Sequence, residues 1–160
     1  MASSKKNLSS YSSSNMGDIS AIKFGIVVSE WNSAVTESLH QGAVETLLTH
    51  GAGKDNLKII QVPGSFELSY GAQQLAKRED IEAVICLGCV IQGETRHFEF
   101  ICQAVATGIT TVSLKYDKPV IFGVLTTDTY QQALDRAGGK HGNKGDEAAI
   151  TAIKMLFHNE

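Results

Sequence analysis

One glycine-led segment gathers side chains that could bind an anion and move a proton. Residues 93–97 read GETRH, so backbone donors, a hydroxyl, a cation and an imidazole lie close together. If a helix begins here, its N-terminus attracts anions. Imidazole titrates near neutral pH, so His97 could transfer protons during carbonyl chemistry. The alternative is a histidine with a purely structural role.

A second segment concentrates positive charge among glycines. Residues 136–145 read RAGGKHGNKG and carry Arg136, Lys140 and Lys144, in a chain whose formal net charge is -3. Guanidinium and ammonium groups bind phosphate oxygens, which favours a phosphate site. The spacing is not that of a nucleotide-binding phosphate loop, and no strand precedes it. The other interpretation is a helix C-cap with cations near the negative end of the helix dipole.

Two further segments could hold a planar ligand. Trp31 is the only tryptophan and directly follows an apolar run. Its ring could stack on a heterocycle, or it could pack in the core or at an interface. Residues 62–67, VPGSFE, form a Pro-Gly turn whose N–H groups could bind hydroxyls or anions. A plain connection from strand to helix is the alternative.

The elements that must position these residues alternate along the chain. Short apolar runs, mostly continuous and rich in β-branched residues, predict four strands at 22–29, 57–62, 83–91 and 119–126. Helical spacing predicts helices at 32–50, 66–78, 97–105, 129–137 and 146–157. Ser33 is the expected N-cap of the first helix, and Gly51 lies just past its end. Residues 110–114 fit either a strand or a continuation of the preceding helix.

This alternation predicts an α/β fold, a three-layer α/β/α sandwich with a four-stranded parallel sheet, flavodoxin-like in type. Ligands of such sheets bind beyond the carboxyl ends of the strands. The segments 29–32, 62–67, 91–97 and 126–127 fall at those ends, so functional residues are expected there.

Composition predicts one globular domain at residues 21–160, preceded by a flexible Ser-rich tail at residues 1–20. The small net charge gives no field that would hold nucleic acid, and no apolar run is long enough to span a membrane. Three cysteines cannot all pair within one chain, and their sparse use favours the cytoplasm.

Several residues that resemble ligands are expected to have no chemical role. Cys86 and Cys89 lie three apart in a predicted strand and therefore point to opposite faces, which argues against a metal or redox site. His40, His50 and His158 are expected on helix surfaces, with His50 near a helix C-terminus.

Five motifs together closely resemble the lumazine synthase family of riboflavin biosynthesis. They are FGIVVSEWN at 24–32, QVPGSFEL at 61–68, GCVIQGETRHFEFI at 88–101, PVIFGVLT at 119–126 and RAGGKHGNKGDEAA at 136–149. The resemblance covers about residues 22–157. It implies a condensation, without cofactor or metal, of 5-amino-6-(D-ribitylamino)uracil with 3,4-dihydroxy-2-butanone 4-phosphate. Phosphate and water are released in this penultimate step of the pathway.

The resemblance also implies roles for individual residues. Trp31 matches the aromatic that stacks on the pyrimidine, His97 the histidine that shuttles protons, and Arg136 the arginine that grips the phosphate. The pocket around the ring and ribityl chain is matched by Asn32, Ser65, Phe66 and Glu67, and the backbone contacts to the ring by Val90 and Ile91. The family's phosphate loop is matched by Glu94 and Thr95, and a lysine near the phosphate by Lys144. Phe122, near the end of its strand, matches an aromatic wall.

In this family the site forms between neighbouring subunits, so Phe122, Arg136 and Lys144 would come from a different chain from Trp31 and His97. The resemblance thus implies a pentamer. The short link GGKHGNKG predicts further that twelve pentamers form an icosahedral capsid of sixty chains, with riboflavin synthase as a candidate partner. Two positions depart from the usual family pattern, because many members carry Pro at Ser69 and Arg at Glu30.

Two other functions stay open. One is that of the lumazine-like riboflavin synthase of archaea, which dismutates two lumazines. The other is a flavin or lumazine carrier or shell without turnover. The intact GETRH segment and Arg136 favour phosphate handling over both.

Overall fold

The computed structural model describes residues 17–157 and is built on a four-stranded parallel sheet. The strand order is β2-β1-β3-β4. The strands are β1 (Phe24–Ser29), β2 (Leu57–Val62), β3 (Ala83–Ile91) and β4 (Val120–Thr127). The four predicted strands are confirmed with small shifts at their ends. The two central strands, β1 and β3, are the most continuously buried, as their apolar runs require.

Five helices and a small hairpin complete the fold of residues 17–157. The helices are α1 (Ser33–Thr49), α2 (Leu68–Ala76), α3 (His97–Tyr116), α4 (Tyr130–Asp135) and α5 (Lys144–Leu156). The hairpin strands β5 (Ala137–Gly139) and β6 (Gly142–Asn143) join α4 to α5, and two 3-10 turns lie at Lys54–Asn56 and Ser65–Glu67. Over residues 17–157, none of these helices has both the length and the apolar character needed to cross a membrane.

The helices form two layers around the sheet, which confirms the three-layer sandwich. Helices α1 and α5 pack together on one face, and α2 and α3 on the other. Successive residues of a strand alternate between these layers, so Ile26 belongs to the first core cluster and Val27 to the second. Cys86 and Cys89 likewise fall in opposite clusters, as predicted from their spacing.

The start of α1 differs from the prediction. Asn32, not Ser33, is the N-cap, and Ser33 is the first helical residue. Asn32 adopts a left-handed conformation (φ 62°), which asparagine tolerates. Its side chain makes no capping bond, and Nδ2 donates instead to the carbonyl of Cys89. Gly51 follows the helix with φ 102°, as expected of a glycine at this position.

Residues 110–114 belong to α3, which resolves the ambiguity in favour of the helix. Their β-branched threonines are accommodated because the hydroxyls bond back to the preceding turn. Thr110 Oγ1 donates to the carbonyl of Ala106 (2.9 Å) and Thr111 Oγ1 to that of Thr107 (2.8 Å).

Residues 17–20, assigned to the tail from composition, are part of the folded structure. Ile19 is fully buried in the first core cluster, and its carbonyl accepts a hydrogen bond from Ile22 N (3.1 Å). The carbonyl of Ser20 also accepts a hydrogen bond from Asn56 Nδ2 (2.9 Å), so burial and hydrogen bonds together hold the segment. Residues 1–16 of the predicted tail, and His158, lie outside the described residues.

His40 is less exposed than predicted. Its ring is half-buried on α1, and Nε2 has no hydrogen-bond partner among residues 17–157. Burial lowers the pKa of His40, although the nearby Glu37 carboxylate works in the opposite direction. His50, by contrast, lies at the end of α1 as expected, with Nδ1 2.7 Å from the carbonyl of Thr46.

Candidate active site

A cleft of about 710 Å³ opens at the carboxyl edge of the sheet. It lies beyond neighbouring strands β1 and β3, whose following helices go to opposite faces, which is where open α/β sheets bind ligands. The cleft brings together eight of the residues predicted for the site, namely Trp31, Asn32, Ser65, Phe66, Glu67, Val90, Ile91 and His97. The rule about strand ends therefore correctly predicts that these residues meet at one edge of the sheet.

The segment after β1 is held so that the Trp31 ring projects into solvent. Backbone bonds continue the sheet ladder past the strand, from Glu30 N to Val62 O (2.9 Å) and from Trp31 N to Pro63 O (3.1 Å). Asn32 Nδ2 donates to the carbonyl of Cys89 (3.0 Å) and ties the segment to β3. The Trp31 side chain is 73% exposed, so it is not a core residue. Its indole face is available for stacking on a ligand or a neighbouring chain.

The turn after β2 presents its backbone and Phe66 to the cleft. Glu67 N donates to Gly64 O (3.2 Å) within the 3-10 turn, and Phe66 is 56% exposed. The Ser65 hydroxyl points into the protein towards Gly88, where an added Cβ would lie 2.7 Å from Ser65 Oγ. That hydroxyl is buried and has no partner within the described chain. Ser65 can therefore serve the cleft only through its main chain.

His97 stands at the start of α3, with its side chain exposed at the mouth of the cleft. Its backbone N–H donates to Thr95 Oγ1 (3.4 Å), and Arg96 is the N-cap. Glu94 and Thr95 are exposed beside the cleft without lining it. The arrangement places an imidazole and a hydroxyl at the positive end of a long helix, where an anion is stabilised.

A second cavity, of about 400 Å³, lies beside edge strand β4 and α5. Phe122 and Lys144 line it. Phe122 is the third residue of β4 and pairs with Cys86, so the expectation that it lies near the end of its strand is wrong. The reason is that β4 continues to Thr127, paired with Ile91, and five residues follow Phe122.

The hairpin brings the two predicted phosphate cations together. Arg136 ends α4 and Lys144 begins α5, and Lys144 N donates to the carbonyl of Arg136 (2.9 Å). Both side chains meet one carboxylate oxygen, Glu147 Oε2, at 3.0 Å from Lys144 Nζ and 3.7 Å from Arg136 Nη2. Arg136 is thus a helix C-cap, as one interpretation of this segment predicts, and it also belongs to a cation cluster, whose use as a phosphate site stays a prediction. Lys140 lies apart and pairs with Asp135 (2.9 Å).

The hairpin is fixed in place by α1. Ser38 Oγ donates to the carbonyl of Ala137 (2.5 Å), and Asn143 Nδ2 donates to the carbonyl of Ser38 (2.9 Å). Asn143 Oδ1 also accepts from Gly145 N (2.8 Å) and caps α5. Gly145 sits directly against the carbonyl of Leu39, a contact that no larger residue could make. The cations are therefore presented by a rigid support.

The two cavities have no lining residue in common. One chain thus carries an aromatic cleft with a histidine, and separately a cationic cavity with an aromatic wall. The site predicted from the sequence is not assembled within a single copy.

The cavities are also lined by Cys89, Ile101 and Glu147, to which the sequence assigned no role in the site. Burial raises the pKa of the Cys89 thiol to about 11, so it stays protonated at neutral pH and forms an unreactive part of the cleft wall. Ile101 lies one helical turn after His97, and Glu147 lies three residues after Lys144, so helical spacing could have revealed both. Within residues 17–157, no three His, Cys, Asp or Glu side chains cluster as a metal site requires.

Comparison with known proteins identifies the family. A protein of Cytophaga hutchinsonii named 6,7-dimethyl-8-ribityllumazine synthase is 67% identical over 156 residues, 98% of each chain. Proteins with the same name from Parabacteroides distasonis and Porphyromonas gingivalis are 54% and 51% identical, over 98% and 97% of this chain and 98% and 96% of theirs. The profile of the 6,7-dimethyl-8-ribityllumazine synthase family matches residues 21–160. The chain that carries the aromatic cleft and the cation hairpin therefore belongs to the 6,7-dimethyl-8-ribityllumazine synthase family of enzymes.

Proposed function

We propose that neighbouring copies of this chain together form the site at which 6,7-dimethyl-8-ribityllumazine is made. The reaction is that of the family, in which 5-amino-6-(D-ribitylamino)uracil condenses with 3,4-dihydroxy-2-butanone 4-phosphate and releases phosphate and water. The observation that carries the shared site is the separation of the predicted residues into two cavities of complementary chemistry.

The aromatic cleft suits the pyrimidine substrate. In the proposal, Trp31 stacks on the ring, and the main chain of Val90 and Ile91 holds its polar edge. Asn32, Phe66 and Glu67 surround the ring and ribityl chain, where the exposed Glu67 carboxylate can accept bonds from ribityl hydroxyls. Exposure of Trp31 and Phe66 supports this use, because neither ring is needed for the core.

The cation hairpin suits the phosphorylated substrate. Arg136 and Lys144 of one copy would meet Glu94 and Thr95 of the next, so that the phosphate lies between two cations and the N-terminus of α3. Phe122 would close the wall of the same pocket. The convergence of both cations on one small region supports the idea that they bind a single anion.

His97 is the proposed proton carrier. It lies between the cleft and the start of α3, so it can reach groups of both substrates. As the amine of the pyrimidine attacks the ketone, a proton leaves the nitrogen and one is delivered to the oxygen that departs as water. Loss of phosphate and closure of the second ring again require proton transfers that an imidazole can mediate.

The proposal includes the assembly. Five copies would form the active ring, and twelve rings a capsid of sixty chains, because the link between α4 and α5 is a tight hairpin without an insertion. Analytical ultracentrifugation tests this, and sedimentation only as pentamers would refute the capsid. A cytoplasmic location, supported by the free thiols of Cys86, Cys89 and Cys102, and association with riboflavin synthase are parts of the same proposal.

The direct test mixes purified protein with both substrates and follows two products at once. Lumazine, followed by its absorbance and fluorescence, and free phosphate should form together and in equal molar amounts. Each substrate alone is the control and should give neither signal. Binding of lumazine or flavin without either product would contradict the proposal and favour a carrier.

A further inference from the structure

We infer that Glu147 is a positioning residue that holds Arg136 and Lys144 in place and weakens their hold on phosphate, so that the phosphate product can leave. The inference rests on the proposed function, because it assumes that these two cations bind the phosphate. It assigns a role to a carboxylate that the sequence did not single out.

The position of Glu147 supports a role in the site. A single oxygen, Oε2, is 3.0 Å from Lys144 Nζ and 3.7 Å from Arg136 Nη2. Its side chain is only 12% exposed, so the pair of contacts is partly shielded from water. The residue lies in the first turn of α5, whose start is fixed against α1 by Gly145. The carboxylate is therefore a rigid anchor for two long and otherwise flexible cations.

Glu147 also faces the space that the ligand would use. It lines the same cavity as Phe122 and Lys144. A carboxylate there cancels one of the two positive charges before any phosphate arrives, and at short range it repels the phosphate oxygens directly. A merely structural ion pair would not need to face that cavity.

This charge balance has a consequence for turnover. Two uncompensated cations in a closed pocket would bind inorganic phosphate as well as the phosphorylated substrate. Tight binding of a product slows its release, which often limits turnover. Glu147 lowers the phosphate affinity of the two cations, so that they still bind the phosphorylated substrate but release the phosphate product.

The test compares inorganic phosphate binding by the assembled full-length protein and its Glu147→Gln variant, using isothermal titration calorimetry. Glutamine keeps the length and an acceptor oxygen for both cations but removes the charge. We expect Kd for phosphate to fall on the order of tenfold, because a unit charge a few Å from the anion is lost. KM for the pyrimidine should stay the same, which a general structural defect would not allow.

Asp135→Asn is the matched control. Asp135 also pairs with a hairpin cation, Lys140, and its side chain is 13% exposed, close to the 12% of Glu147. It does not line the cavity. Neutralising it should change Kd for phosphate by no more than about twofold.

A second variant keeps the inference testable if Glu147→Gln fails to assemble. Glu147→Asp retains the charge but draws the carboxylate back from both cations. It should raise KM for the butanone phosphate several-fold, leave KM for the pyrimidine unchanged, and not tighten phosphate binding.

The outcomes are distinct. If Glu147→Gln binds phosphate no more tightly than the parent while the parent binds it measurably, the inference is wrong and the proposed function is untouched. If Glu147→Asp raises both KM values equally, Glu147 is only structural. If the parent itself does not bind phosphate at millimolar concentrations, the assignment of Arg136 and Lys144 to the phosphate fails together with the inference.

Discussion

The aromatic cleft and the cation hairpin are built in different ways. Three segments that follow parallel strands form the cleft, and it lies at the sheet edge where such folds bind ligands. The hairpin connects α4 to α5 and is held by hydrogen bonds with α1 and by the largely buried carboxylate of Glu147. The comparison shows that the fold itself dictates one region, whereas the other depends on contacts between a connecting hairpin and its neighbouring helices.

The two regions also differ in what they lack. The cleft has a stacking surface and an imidazole but no lysine or arginine among its lining residues. The cavity beside the hairpin has a cation and an aromatic wall but no histidine among its lining residues. Each region therefore supplies what the other needs, provided that they come from adjacent copies.

Loss of the guanidinium should have the largest effect. Arg136→Ala is expected to raise KM for the butanone phosphate on the order of a hundredfold, because a charged, partly buried partner of the phosphate disappears. KM for the pyrimidine should change little. Lys140→Ala removes an exposed cation of the same hairpin, 66% of whose side chain is accessible, and serves as the control. If KM for the butanone phosphate is unchanged in Arg136→Ala, Arg136 does not bind the phosphate.

Loss of the imidazole should act on the chemical step instead. His97→Ala is expected to slow single turnover by ~10²-fold while pyrimidine binding is largely kept, as is typical of general acid-base groups. Rapid mixing with both substrates in saturating amounts measures this. His50→Ala, at the far end of α1, should match the parent. A single-turnover rate equal to that of the parent would show that His97 only positions substrate.

A methyl group at Gly88 should disturb the cleft and spare the hairpin. In Gly88→Ala, the new Cβ would lie 2.7 Å from Ser65 Oγ and 2.8 Å from Leu68 Cδ1, so the turn after β2 must shift. We expect a loss of about 1–3 kcal/mol in the free energy of unfolding and weaker pyrimidine binding. Phosphate affinity should not change.

For Gly88→Ala, chemical denaturation measures the free energy of unfolding, and calorimetry measures the binding of the pyrimidine and of phosphate. Gly93→Ala is the stability control, because no non-neighbouring atom of residues 17–157 lies within 4 Å of a Cβ built at that position. Equal destabilisation by both variants, or equal loss of both ligands in Gly88→Ala, would contradict the view that the two regions are separate.

The smallest predicted effect is on stability and concerns His40, a residue of α1, the helix that holds the hairpin. Burial lowers the pKa of His40 below its usual 6.5, so the unfolded chain binds a proton more readily than the folded chain near and below that pH. The contribution of neutral, buried His40 to the free energy of unfolding is therefore fully present above pH 6.5 and is lost as the pH falls below that value. His40→Gln should lose less stability than the parent on acidification, measured as the unfolding temperature at pH 7.5 and 5.5. An identical pH dependence would exclude His40 as a contributor.

Local sequence patterns were sufficient to predict the fold and the residues that meet at the cleft. Continuous apolar runs defined the strands, and the position of Trp31, residues 62–67 and residues 93–97 after three strands placed them at one edge. The length of α3 could not be decided, because threonines favour strands unless their hydroxyls bond back to the helix, as those of Thr110 and Thr111 do.

The hairpin region was harder to foresee. That Arg136 and Lys144 share Glu147 depends on the turn at residues 139–142 and on the approach of α5 to Leu39, neither of which has a local signature. Ile19 was missed for a related reason, since one apolar residue in a polar segment reveals its partners only after folding. In each case the deciding contact joins residues far apart in the chain.

Complementation between two strongly impaired variants tests the shared site most directly. His97→Ala and Arg136→Ala chains are unfolded together in equal amounts, refolded, and assayed for lumazine, beside each variant refolded alone. If adjacent copies build each site, random assembly leaves about one quarter of the sites with both side chains intact, and a corresponding share of activity returns. If one chain supplies the whole site, no intact site can form, and a mixture as inactive as its components would contradict the account.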